Sequence, residues 1–166
     1  MADTPAAYPF TSFNFSVEID VPGISPKLCE ASFSDCDGLE LTMDVKTIRE
    51  GGNNTAQIRM VGAANYGLVT LKRGMTSTSF DLWDWFDAQQ HATARQLRTD
   101  FRGEAKVILL SPDRKARARY ILRKCLLTKL KAPPMSAKDG IVAIEEMQLT
   151  YESLSIERPG GGGGNA

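Results

Sequence analysis

From Phe13 to Val21 the chain reads FNFSVEIDV, apolar at every odd position and polar at every even one. Side chains of an extended strand alternate between two faces, so this stretch buries one face and wets the other. The same period returns in 39–47, where Leu39, Leu41, Met43 and Val45 alternate with Glu40, Thr42, Asp44 and Lys46. It continues in 55–62, with Ile58 and Met60 against Gln57 and Arg59, then in 66–74, 104–111, 116–131 and 141–157. Breakers stand between these runs: Pro22-Gly23, Pro26, Gly74, the turn from Pro112 to Lys115, and Pro133-Pro134.

One window departs from period two. In 78–90, TSFDLWDWFDAQQ, the acids Asp81, Asp84 and Asp87 recur three apart, beside Leu82, Trp83, Trp85 and Phe86. This spacing predicts one short amphipathic helix, capped by Ser79 or Asp81, that packs Leu82, Trp83, Trp85 and Phe86 onto a sheet. About seven strands and one helix joined by short turns predict a mainly β protein, an antiparallel sandwich or barrel. No βαβ rhythm supports a doubly wound fold. The length of 166 residues fits one domain. We expect an N-terminal extension over 1–12, a single β domain over 13–157 and a flexible glycine-rich tail over 158–166.

The residues give enzyme chemistry little to work with. His91 is the only histidine, and the three cysteines, Cys29, Cys36 and Cys125, form no CxxC pair. They read as free thiols, and no metal, cofactor or catalytic residue is predicted. No apolar run reaches the roughly 18 residues of a membrane span. The start of the chain lacks the basic-then-apolar order of a secretory signal.

The stretch 46–54, KTIREGGNN, offers two glycines and two asparagines. A phosphate-binding loop needs GxxxxGK[ST], or GxGxxG between strand and helix, whereas these glycines lie between two strands. A hairpin tip is the mechanical reading, since Gly and Asn tolerate positive φ.

Net charge is zero, yet charge is segregated. Residues 1–44 carry eight acids and one base, and 111–131 carry eight bases and one acid. Alternation predicts a basic face on the long strand, with Lys115, Arg117, Arg119, Arg123, Lys129 and Lys131. That face suits either solvent or an acidic neighbour, and it leaves open a β-sandwich module that binds nucleic acid.

Four stretches, GLELTMDVKTIREGGNN, YGLVTLKRG, LWDWFD and IVAIEEMQLTYESL, resemble the T4-type tail tube protein family. This family supplies the inner tubes of contractile phages and of phage-tail-like injection systems. The resemblance runs in order from about Phe13 to Leu154. It implies a non-catalytic structural subunit that forms six-membered rings, stacked into a hollow tube with a channel for DNA or effector protein. The implied partners are further copies of the chain, a surrounding sheath, baseplate and tail-terminator proteins, and the cargo. The implied place is a virion tail or a particle assembled in the cytoplasm, with no membrane anchor and no secretion signal. A baseplate tube-initiator ring protein of the same family is the alternative. On this reading Arg49, Glu50, Gly51, Gly52, Asn53 and Asn54 form a loop that reaches a neighbouring subunit. Glu40, Thr42, Asp44, Gln57 and Arg59 should face the channel, with Leu41, Met43, Val45, Ile58 and Met60 facing the core.

Overall fold

The computed structural model describes residues 14–24, 33–49, 51–52, 57–75, 80–99, 101–138 and 140–158. Among them are nine strands: β1 (Phe15–Asp20), β2 (Phe33–Asp37), β3 (Leu41–Ile48), β4 (Ile58–Tyr66), β5 (Val69–Gly74), β6 (Gly103–Leu110), β7 (Ala116–Lys131), β8 (Ile144–Thr150) and β9 (Ser153–Glu157). Two helices, α1 (Asp81–His91) and α2 (Ala94–Thr99), lie between β5 and β6. All strand pairings are antiparallel. The mainly β fold expected from the alternation is therefore present.

Seven strands form one sheet, six along the path β1-β6-β7-β8-β5-β2 and β9 beside it on β7. The long β7 is the corner. Its first half pairs with β6 and β9, and its second half, from Leu126, pairs with β8. At the change-over Lys124 takes φ +56°, and a register shift follows between Leu127 and Lys129. Each break advances the strand by one position, and one position exchanges its faces. Cys125 and Leu127 are consequently buried, although strict alternation would set them beside the exposed arginines. The mostly basic face expected along β7 is thus interrupted where Cys125 and Leu127 turn inward.

The inward faces of the two halves close on one core. Val17 and Ile19 of β1 lie opposite Val107 and Ala105 of β6, and Val69 and Leu71 of β5 opposite Leu149 and Met147 of β8. Leu82 and Trp85 of α1 complete it, both fully out of solvent. Trp85 donates its indole N–H to the Phe101 carbonyl, at 3.3 Å. Gln89 of α1 accepts the Leu127 N–H at 3.2 Å, beside the break in the β7–β8 ladder. Trp83 and Phe86 are half-buried.

Several elements differ from expectation. The run 141–157 is two strands, because Tyr151 and Glu152 carry the chain from the second half of β7 back to the first. Glu152 holds that crossing with ion pairs to Arg102 and to Lys124, and its N–H donates to the Arg123 carbonyl. Strand β2 went unpredicted, since only Phe33 is buried in a stretch reading FSDCD. Its Asp35 and Asp37 are the charges expected on an edge. Helix α1 begins at Asp81 after Phe80, which supplies no side-chain cap; Ser79 lies outside the described residues. Asp81 and Asp84 still sit in the first turn, where the helix dipole favours them. The expected extension over 1–12 and all but Arg158 of the expected tail also lie outside the described residues.

Candidate functional site

Strands β3 and β4 stand apart from the seven-stranded sheet as a two-stranded ribbon. The ribbon leaves the body at a tightly built base. A Cβ on Gly38 would lie 2.0 Å from the Leu68 carbonyl oxygen, and Gly38 has φ +89°, so only glycine fits there. Tyr151 donates its hydroxyl to the Glu40 carbonyl at 3.2 Å. Its ring meets Tyr66 with centroids 5.4 Å apart, which anchors the end of β4 on the core.

Beyond that base, both faces of the ribbon are in solvent. Val45 and Val61 are 63 % and 69 % exposed, and Leu41, Met43, Ile48, Ile58 and Met60 lie between 43 % and 54 %. The expectation that Leu41, Met43, Val45, Ile58 and Met60 enter the core of their own chain is not met. Alternation predicts that one face is dry; it does not say whose core covers it.

Register adds a second correction. Leu41 pairs with Tyr66 and Met43 with Ala64, but Val45 pairs with Val61, so β4 carries one extra residue at Gly62-Ala63. Cross-strand partners share a face. Leu41, Met43, Val45 and Thr47 therefore lie with Tyr66, Ala64, Val61 and Arg59 on one side. Thr42, Asp44, Lys46 and Ile48 lie with Asn65, Met60 and Ile58 on the other. The 3.2 Å hydrogen bond from Asn65 Nδ2 to Asp44 Oδ1 fits this assignment. Arg59 is thus parted from Thr42 and Asp44, and the five residues expected to face a channel do not share one face. Glu40 and Gln57 are exposed just outside β3 and β4.

An amphipathic ribbon whose polarity reverses along its length results. Near the body the first side is apolar (Leu41, Met43, Val45, Val61) and the second polar (Thr42, Asp44, Asn65). Near the tip the second side carries the apolar Ile48, Ile58 and Met60, with Lys46 opposite Met60, and the first is polar (Thr47, Arg59). Gly51 and Gly52 form a turn between the strands, with φ +94° at Gly52. Glu50, Asn53 and Asn54 lie outside the described residues, and Arg49 is exposed.

A family model, T4-like virus tail tube protein gp19, matches residues 11–155. The chain belongs to this tail tube family. The chain is also similar to one from the anti-feeding prophage baseplate, with 20 % identity over 92 % of this chain and 97 % of that one, at a TM-score of 0.78. A chain of the PVC extracellular contractile injection system sheath-tube complex gives 18 % identity, 92 % and 94 % coverage and a TM-score of 0.73. One from the anti-feeding prophage tube-terminating cap gives 17 %, 94 % and 95 %, and 0.75. No curated protein is significantly similar. The function expected from the resemblance, a structural tail tube subunit, is that of this family.

The remaining predicted residues are dispersed over the fold. Arg119 lies opposite Glu157, Arg123 Nε is 3.8 Å from Glu104, and Lys115 Nζ is 3.5 Å from Asp113. Lys129 and Lys131 sit opposite Gln148 and Glu146, and Arg117 is exposed. The basic strand is therefore interleaved with acids from β6, β8 and β9, a mixed-charge surface with less pull on a polyanion than the strand alone suggests. His91 is exposed, its Nδ1 2.9 Å from the Asp87 carbonyl. Ile48, Ile58 and Met60, as one apolar patch, were missed. The glycine inside the strand pattern at Gly62 is the signal that marks the bulge responsible.

Proposed function

We propose that the chain is the repeating subunit of the tube, assembled as six-membered rings that stack within a contractile sheath. The observation that carries this is the β3–β4 ribbon. Seven large apolar side chains stand in solvent on an element with no cover from its own domain. Patches of that kind mark contact with another protein. A tube supplies such cover at every copy through heterologous contacts, which close within a ring and propagate between rings. The polar base of the ribbon, with Glu40, Thr42 and Asp44, then faces water in the channel. The loop from Arg49 to Asn54 reaches a neighbouring copy, and DNA or an effector protein passes through the bore. Neither role asks for catalysis, a metal or a cofactor.

The likeness to a baseplate chain favours a second reading, in which the chain forms a single ring that starts a tube. Negative-stain imaging and native mass spectrometry of the purified chain separate the two. Long tubes about one ring wide are expected; rings of six that never extend favour the initiator. Monomers alone across a wide range of concentration and salt would refute both.

A further inference from the structure

A second apolar surface lies at the far end of the molecule. Met75, Pro133, Pro134, Met135, Ile141 and Val142 line a cavity of about 700 Å³ at the end of β5 and the start of β8. Met135 is 91 % exposed there. The Met75 N–H donates to the Ala143 carbonyl at 2.8 Å, which ties the two walls together.

Topology places this groove and the ribbon at opposite ends of the same strands. The ribbon springs from the end of β5 and β8 where Val69 pairs with Leu149, beside Tyr151. The groove sits where Gly74 pairs with Ile144. Five residues of strand part them, about 17 Å at the usual rise. The seven steps from Leu41 to Ile48 of β3 span about 23 Å on the same measure, longer than that gap. A copy stacked along the strand direction would bring its groove end against the ribbon end of this one.

We infer that the distal ribbon face, Ile48, Ile58 and Met60, seats in the groove of a second copy in the adjacent ring. This rests on the proposed tube and names the partner of its free ribbon. Two features single out that occupant. The ribbon's polarity reverses midway, so its two halves need cover from opposite sides, and one neighbour within a ring supplies only one. A contact between unlike ends of identical chains also repeats without closing, as a growing column requires. The six side chains offer only on the order of several hundred Å², short of the ~1,200 Å² typical of a stable pair. Single chains accordingly stay apart, and contacts hold once six act together.

Cysteines at both ends test the contact. In a chain with Cys29→Ser, Met60→Cys and Val142→Cys, mild oxidation of assembled tubes should give a ladder of bonded chains that runs past six copies. Each control with only one of the two introduced cysteines, and Cys36 and Cys125 retained, should give none. A ladder that stops at six places the contact inside the ring and overturns the inference, as does the absence of bonds in intact tubes. Parent tubes imaged in parallel keep the two readings distinct: if they form while the ladder fails, only this contact is wrong. If the parent makes no tubes, the proposed function fails first. A separate variant, Val142→Asp, should keep its circular dichroism and its rings but lose tubes; normal tubes from it would also overturn the contact.

Discussion

Arg73 of β5 and Glu145 of β8 are direct cross-strand partners, joined through Nε and Oε1. Their side chains are only 3 % and 1 % exposed, so both charges are deep in the sheet. The second carboxylate oxygen of Glu145 is buried without a hydrogen bond among the described residues. Geometry of this kind makes removal of one partner far worse than removal of both. Arg73→Met leaves a carboxylate buried with its main counter-charge gone, and Glu145→Leu leaves a guanidinium so. Each should cost about 3–5 kcal/mol. The double variant Arg73→Met, Glu145→Leu buries apolar volume and no charge, and should fall within about 1 kcal/mol of the parent.

Urea unfolding of the unassembled chain, followed by the emission of Trp83 and Trp85, measures all four corners of the cycle. At roughly 2–4 °C per kcal/mol for a chain of this size, each single variant should also melt about 6–20 °C below the parent. If the singles cost less than about 1 kcal/mol, the pair is better hydrated than its burial implies. If the double variant costs the sum of the singles, the two charges are not coupled, and the reasoning is refuted.

Two further outcomes follow from the ribbon base and the thiols. Gly38→Ala meets both a positive φ and the Leu68 carbonyl, whereas Gly23→Ala meets φ +84° in open space. Thermal melts should show about 1 kcal/mol lost at Gly23 and clearly more at Gly38; equal losses would mean the base can relax. Burial pushes the Cys125 thiol up to about 12 and the Cys36 thiol up to about 11. The unfolded chain gives up these protons near 9 while the fold keeps them, so stability falls as pH rises above about 9. Cys125→Ala should flatten that fall between pH 9 and 11, and an unchanged slope would show that the thiol ionises in place.

The body of the fold could be read from period two because its strands have one dry side and the dry sides meet. FNFSVEIDV became β1 without a shift, and its Val17 and Ile19 are among the most buried residues of the chain. Reading failed where period two is interrupted or hidden. Lys124 gives no local hint that it will take a positive φ, since lysine is neither Gly nor Asn; the turn falls where β7 exchanges β6 for β8 as its partner. Strand β2 is an edge with one deeply buried side chain, so its sequence carries almost no alternation. The break at Tyr151 is set by pairing with two halves of β7, a tertiary fact without a Gly or Pro to announce it.

The ribbon is a different case. Leu41, Met43 and Val45 alternate as cleanly as β1 does, and alternation alone assigns them to the core of the chain. Burial of an apolar face stabilises a protein equally whether the cover comes from its own strands or from another copy. Hydrophobic period therefore records that water is excluded and is silent about which chain excludes it. The reversal at Gly62 sharpens the point. An element that served only its own core would keep one side dry along its whole length, because a second dry side would be left in water. Here the dry side changes midway, and seven large apolar residues are exposed as a result. That arrangement is costly for a lone domain and sensible for one whose ribbon passes between two neighbours, a condition met at every position along a tube except its ends.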